Sequence, residues 1–327
     1  MKRREFITLL GGAALATQSG ALAQGPARAL RVGTLGPGPL VTDASPNGAA
    51  LLRGFALLGY TQGANLVFER RAAEGHLERL PTLINELSAS KVDVIITFGY
   101  PAAAAAKAHT TLPVVAIFAG DPVGTGLVES LARPGGNLTG ISDVSQELTP
   151  KRMELLKELA PQLRRIAMLW NASDLGMTLR YQASEAGAKE MGITVQPVGV
   201  REPDDFTQAF TAMEHESPDA ILMVTDSLTM LNRKRVFEFA AAHRLPATYE
   251  FDYLVREGGL MAYAPDLDES FSRVAALADR IFKGAAPAQL PFEQPTRFKF
   301  ALNLKTAKAI GIDVPPTLLS RADEVIE

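Results

Sequence analysis

Two doubly wound α/β lobes, each built on a parallel β-sheet, are the architecture this sequence predicts, and three observations lead to it. Short β-branched apolar runs alternate with longer helical patterns, the signature of parallel βα units. The alternation runs through one set of units and then restarts. The chain has 327 residues, enough for two medium domains that each bury a substantial core.

The first set opens with a strand at residues 31–35 that ends in the loop Gly36-Pro37-Gly38-Pro39. A helix around 49–58, a strand at 65–70 and a helix at 77–89 follow. The run 92–98 reads as a buried strand, which Gly99 and Tyr100 turn into the Ala-rich helix 101–108, and 113–118 is a fourth strand. The second set reads as helix 151–159, strand 165–170, helix 179–191, strand 194–199, helix 204–215, strand 220–225, helix 228–243 and a short strand at 246–249. No Gly/Ser linker separates the two sets, so short hinges are expected. Such sheets bind ligands at the carboxyl ends of their strands. Two facing lobes therefore bring both groups of strand-end loops to one cleft, a geometry suited to capture by hinge closure.

Composition removes several classes of function. Hydrophobic residues make up 47% and charged residues 21%, the balance of an ordinary globular protein. A net charge of −3 gives no basic field for nucleic acid. The absence of cysteine removes disulfides, thiolate metal sites and cysteine nucleophiles. His76, His109, His215 and His243 are scattered, with no i+3 or i+4 pair, so there is no zinc motif. The loop at Gly36 is only superficially like a phosphate loop, since neither G-x-G-x-x-G nor a GKS/T sequence is present. No G-x-S-x-G elbow or H-E-x-x-H occurs either. A binding protein without cofactor or metal is expected rather than an enzyme.

Residues 1–23 read as a signal peptide. Lys2, Arg3 and Arg4 are its basic start, 6–16 its short apolar stretch, and Ala21-Leu22-Ala23 a small-x-small cleavage site before Gln24. Arg3-Arg4-Glu5-Phe6-Ile7 is similar to a twin-arginine signal, an ordinary Sec signal being the alternative. The apolar stretch is too short for a stable anchor, and no cysteine follows the cleavage site to carry lipid. The expected location is the periplasm, free of any lipid anchor.

More specific residues follow the fourth strand. Gly120-Asp121-Pro122-Val123-Gly124-Thr125-Gly126-Leu127-Val128 runs on through Ser130-Leu131-Ala132-Arg133-Pro134-Gly135-Gly136-Asn137-Leu138-Thr139-Gly140. This resembles the signature of a large bacterial family of ABC transporter substrate-binding proteins, often called TrpX-like. Lys151-Arg152-Met153-Glu154-Leu155-Leu156-Lys157, Gly258-Gly259-Leu260-Met261 with Tyr263, Pro295-Thr296, Asn303-Leu304-Lys305-Thr306-Ala307-Lys308 and Arg321-Ala322-Asp323-Glu324-Val325-Ile326 are similar to its later segments. The resemblance spans nearly the whole chain. It implies a type I periplasmic binding protein fold with a three-crossover hinge. The lobes are then expected at 24–141 plus about 262–290, and at 142–261 plus about 291–327. It also implies a monomer that captures a small organic solute for the membrane permease of an ABC-type importer. Some members bind aromatic amino acids, so an amino acid or a related aromatic or carboxylated compound is the expected ligand. A ligand-loaded co-receptor for a membrane sensor is the alternative; a periplasmic enzyme on the same fold, with Asp121 and Asp226 as an acid/base pair, is a remoter one that no partner His or metal cluster supports. A regulator on the same fold would carry an N-terminal helix-turn-helix where this chain carries its leader.

Candidate ligand residues lie at strand ends. Backbone at Gly36 can approach a ligand. Tyr100-Pro101 opens a helix whose free N–H groups and dipole suit a carboxylate, though every helix has such an end. Asp121 reads either as a carboxylate for a ligand cation or as the cap of its own turn. Asp226 reads either as a second such carboxylate from the other lobe or as a helix cap. Asn171 suits a carboxylate or ring heteroatom, with a turn role as the alternative. Phe98, Tyr100, Phe118, Tyr249 and Phe251 supply aromatic walls or core, Trp170 likewise, and Glu250 is a further polar candidate.

Overall fold

The computed structural model describes residues 28–327; the leader expected at 1–23 lies outside the described residues. The first sheet is β1 (Leu30–Gly36), β2 (Leu66–Ala72), β3 (Val94–Phe98), β4 (Val114–Ile117) and β5 (Leu138–Ile141), in the order β2-β1-β3-β4-β5. Every neighbouring pair is parallel. All five residues of β3 and all four of β4 are buried, which is why these strands read as continuous apolar runs rather than alternating ones.

Its crossovers are α1 (Pro46–Leu57), α2 (Leu80–Ala89) and α3 (Gly99–His109). Ser45 caps α1 by accepting from the Gly48 amide, with Pro46 in the first turn, the arrangement expected of a helix start. Helices α2 and α3 cover one face with Leu83, Leu87, Ala102 and Ala103. The other face is covered by α1, through Leu51 and Phe55, and by α10 (Leu267–Phe282), through Phe271, Val274 and Ala278.

The second lobe comprises α4 (Ser145–Leu159), β6 (Arg165–Asn171), α5 (Leu175–Glu190), β7 (Thr194–Val200), α6 (Asp205–Glu216), β8 (Ala220–Met223), α7 (Ser227–Leu231), α8 (Arg233–Ala242), β9 (Ala247–Tyr249), α9 (Asp252–Arg256), β10 (Met261–Pro265), β11 (Phe298–Asn303), α11 (Leu304–Ala309), α12 (Pro316–Leu319) and β12 (Glu324–Ile326). Its strands follow the order β12-β11-β10-β9-β8-β6-β7. The core is parallel, but β11 runs antiparallel to β10. Cores form on both faces, around Met153, Met168 and Leu222 on one and Phe206, Val236 and Leu254 on the other.

Several boundaries differ from the sequence reading. The helix expected at 228–243 is two, α7 and α8, broken at Asn232. The helix expected at 151–159 begins at Ser145 and contains Pro150. Proline at this sixth helical position removes the N–H that would bond the Gln146 carbonyl, and Gly187 of α5 leaves room for its ring, a Cβ there standing 3.3 Å from Pro150 Cγ. Of the stretch 262–290 expected in the first lobe, the residues to Pro265 form β10 of the second sheet, and α10 packs on the first.

The chain therefore passes between lobes three times, after β5, after β10 and before β11, and the passages are hydrogen-bonded to one another. Glu293 donates to the Gly140 carbonyl and accepts from the Ser142 amide, both at 2.8 Å. The Asp266 amide donates to the Arg297 carbonyl at 2.9 Å, and its carboxylate caps α10 at the Glu269 amide and pairs with Arg297 and Lys299. Glu269 in turn accepts from the Arg297 amide at 2.7 Å. No described helix is long and apolar enough to cross a membrane.

Gly140, at this hinge, is packed so closely that a Cβ would stand 2.1 Å from the Ala116 carbonyl oxygen. Gly140→Ala forces β4 and β5 apart. It is expected to destabilise the protein by about 1–3 kcal/mol, as overpacking does, measured by urea unfolding; a change within experimental error would mean the strands yield freely.

Candidate ligand cleft

The carboxyl ends of both sheets face each other across a cleft of about 900 Å³, counting the space open to solvent. From the first lobe come the loop at Gly36, held by hydrogen bonds from Ala73 and Glu74 to the carbonyls of Gly36 and Gly38, the first turn of α1 at Asn47, the β3–α3 junction at Phe98 and Gly99, and Phe118 after β4. No side-chain cap occupies the start of α3. From the second lobe come Asp174, which caps α5, the segment Thr225–Ser227 after β8, and Glu250, Phe251 and Tyr253 after β9.

Phe118 has a φ of +60°, an uncommon conformation for a bulky residue. It is held by two edge-to-face contacts, with Phe271 of α10 at 5.9 Å and with Phe251 of the opposite lobe at 5.1 Å. Phe251 stacks on Tyr253 at 5.3 Å. The lobes also meet at Gly38, where a Cβ would lie 3.2 Å from Ser227 Cβ, and at Gly176, where one would lie 3.3 Å from Tyr100 Cβ. These contacts define a closed conformation.

Beneath the cleft lies a charged network. Arg152 and Arg180, each 1% exposed, converge on Glu250. Arg152 Nη1 donates to Glu250 Oε1 at 3.1 Å, and Arg180 Nη1 donates to both Glu250 oxygens at 2.8 and 2.9 Å. Arg180 Nη2 reaches Asp143 Oδ2 at 2.7 Å, Arg152 Nε reaches the Tyr263 carbonyl at 2.8 Å, and the Thr225 amide donates to Glu250 Oε2 at 2.9 Å. Burial works against both guanidiniums. It lowers Arg152 despite Glu250, whereas at Arg180 the Asp143 and Glu250 carboxylates outweigh it and raise the pKa.

Asp174 and Asp226 are different. Burial, and then the charge of Asp226, push Asp174 up to about 6. Burial also raises Asp226, against hydrogen bonds from the Thr229 amide and hydroxyl and from Asn171 Nδ2 at 2.5 Å.

Of the residues singled out in the sequence, Gly36, Phe98, Phe118, Asp226, Glu250 and Phe251 line this cleft. Tyr100 sits in the first turn of α3 against Gly176. Asn171 stands behind Asp226, and its Oδ1 accepts from the Ser173 amide. Asp121 accepts from the amides of Val123 and Gly124, closing its own turn, and borders a separate, smaller pocket with Asp143 and Arg180. The structure does not bring it to Asp226, and the pairing of one carboxylate from each lobe is corrected accordingly. Tyr249 packs in the second-lobe core, edge-on to Phe237 at 5.0 Å, because the strand alternation that sends Glu250 to the cleft sends its neighbour inward. Trp170 stacks on Tyr181 at 4.1 Å in the core. Asp143, Asp174 and Arg180 escaped the sequence reading. Asp174 had a signal, a capping residue before a helix, but the helix was placed to begin at 179.

Replacing Glu250 with Gln leaves two buried guanidiniums without their carboxylate. The expected loss is about 3–5 kcal/mol, the cost of breaking a buried ion pair, read from urea unfolding; a loss below about 1 kcal/mol, the scale of an exposed pair, would show that the network is solvated.

The family model described as ABC transporter substrate binding protein matches residues 46–326. A tyrosine-binding protein of Clostridioides difficile (strain R20291) is 25% identical over 255 residues, 78% of this chain and 73% of that protein. A conserved domain protein from Vibrio cholerae superposes with a TM-score of 0.84 at 24% identity, over 91% of this chain and 100% of that one. An ABC domain in complex with L-Trp from Streptococcus pneumoniae does so with a TM-score of 0.81 at 25% identity, over 91% and 100%. A ligand-free, open substrate binding protein with adhesive properties from Clostridium difficile gives 0.64 at 22% identity, over 91% and 99%. With two lobes of this fold, a closed cleft between them and a family match across most of its length, the chain belongs to the ABC transporter substrate binding protein family.

Proposed function

We propose that the chain is the extracytoplasmic capture component of an ABC importer and that its ligand is an amino acid with an aromatic side chain. The observation that carries the ligand class is the aromatic wall. Phe98 and Phe118 from one lobe and Phe251 and Tyr253 from the other line a single cleft, and Phe118 meets Phe251 across it. A flat aromatic side chain between these rings gains apolar burial and edge-to-face contacts. The uncapped start of α3 offers amides to the ligand carboxylate. The relatives described as binding tyrosine and L-Trp point to the same chemistry.

Closure by a ligand that bridges both lobes then selects the closed state from an open ensemble. The closed form docks on a membrane permease, and ATP hydrolysis belongs to a separate subunit. The basic, apolar opening of the chain is consistent with export to the periplasm, where such capture takes place. Catalysis has no part in this role.

The test is a thermal-shift and calorimetric screen of protein refolded from denaturant, so that any bound solute is stripped. L-Tryptophan, L-tyrosine and L-phenylalanine are expected to raise the unfolding midpoint in a dose-dependent way, since a ligand at 100 times its Kd stabilises by about 2.7 kcal/mol. Phe251→Ala is expected to weaken binding about 10-fold, the effect of truncating an aromatic anchor by more than about 1 kcal/mol. Stabilisation by sugars alone, with none from aromatic amino acids, would overturn the ligand class.

A further inference from the structure

Among the described residues, the first-lobe wall of the cleft carries one polar side chain. The glycines and prolines of the loop after β1, Val41, Phe98 and Phe118 make up most of its lining, and Asn47 of α1 alone brings a side-chain hydrogen-bonding group. Asn47 Oδ1 is buried and has no hydrogen-bond partner. Buried polar atoms are rarely left so, because an unmet one costs free energy. The turn before Asn47 holds it in place. Ser45 Oγ donates to the Thr42 carbonyl at 2.7 Å and accepts from the Gly48 amide at 3.2 Å. Gly48 lies so close under this turn that a Cβ would stand 1.8 Å from the Thr42 oxygen. Pro46 fixes the backbone of the preceding helical position. The carboxamide is thus presented from a rigid first turn.

One other lining atom is buried without a partner, Thr225 Oγ1 of the second lobe. The two differ in chemistry. A hydroxyl donates or accepts as its neighbour requires, so Thr225 selects for neither. A carboxamide oxygen only accepts. Asn47 therefore separates a ligand that brings a donor to the first-lobe wall from one that brings a C–H bond there.

We propose that Asn47 is a specificity-determining residue of the cleft, whose Oδ1 accepts a hydrogen bond from a donor on the ligand's aromatic ring, the O–H of a phenol or the N–H of an indole. The proposal deepens the reading of this cleft as a site for aromatic amino acids and rests on it. The rings of Phe98 and Phe118 favour any flat apolar group through burial and edge contacts, so they do not tell one aromatic side chain from another by its polar atoms. A plain phenyl ring leaves Asn47 Oδ1 buried and unmet, whereas a phenol or an indole satisfies it. A site that keeps a buried polar group for a ligand's O–H or N–H rejects the analogue lacking that donor, because the group is then left unpaired. The carboxamide does not ionise, and a phenol or an indole keeps its proton near neutral pH, so the preference is independent of pH there.

The test is calorimetric titration of protein refolded from denaturant with two matched pairs of probes. L-Tyrosine is compared with L-phenylalanine, and L-tryptophan with L-3-benzothienylalanine, in which sulfur replaces the indole N–H. At least one donor-bearing member is expected to bind about 10-fold more tightly than its counterpart, the scale of leaving one buried acceptor unmet, and the pair that shows it identifies the donor as phenol or indole. Asn47→Leu removes the acceptor. It is expected to erase that preference by weakening the donor-bearing ligand about 10-fold without weakening its counterpart, a selective change that a purely structural role would not produce. Asn47→Asp keeps an acceptor and is expected to keep the preference. Equal affinities within both pairs, or a preference that survives in Asn47→Leu, overturn the specificity role and leave the ligand class standing. Wild-type protein that binds none of the four overturns the ligand reading above and this role with it. The analogue pairs need no variant and decide even if Asn47→Leu fails to fold.

Discussion

The position of the cleft depends on one buried carboxylate. Glu250 sits at the end of β9 and accepts hydrogen bonds from Arg152 of α4, Arg180 of α5 and the amide of Thr225 beyond β8. Arg180 extends the network to Asp143 in the first hinge passage, and Arg152 extends it to the Tyr263 carbonyl of β10. Four elements of the second lobe and the hinge thus meet at one side chain. Two arginines that are buried this far would be prohibitively costly alone. Their carboxylate partners turn that cost into a geometric constraint, because both guanidiniums must reach Glu250 at once, with Arg152 Nη2 and Arg180 Nε left without partners. The same constraint sets the direction of the segments that carry Asp226 and Phe251 to the cleft.

The first lobe contributes in a different way. Its wall is made of backbone turns and rings, held by the sheet and by α10, a helix that belongs to the second half of the sequence but packs on the first core. Because α10 also carries Phe271, the ring beneath Phe118, the hinge, the first-lobe core and the aromatic wall are mechanically continuous. The hinge passages are short and hydrogen-bonded side by side, which favours rotation of rigid lobes over local unfolding as the mode of opening.

The chain's lobes, the parallel order of its elements and most strand positions were legible in the amino-acid sequence by itself, because buried parallel strands must be continuous apolar runs and the helices between them must be amphipathic. Strand ends were legible too, and with them Gly36, Phe118, Asp226 and Glu250, since the ends of parallel strands are where loops converge. Tertiary structure decided the rest. Tyr249 and Glu250 are adjacent, and only the pleat of a short strand determines which of them reaches the cleft. Asp121 and Asp226 look alike in sequence, and each does close its own local structure, Asp121 its turn and Asp226 the start of α7, yet only Asp226 also lines the cleft. Arg152 and Arg180 lie on helices that read as ordinary surface elements, and their burial arises only where the helices pack against Glu250. Local patterns encode which residues are apolar and where the backbone turns. They do not encode which polar side chains lose their water, because desolvation is produced by segments distant in sequence.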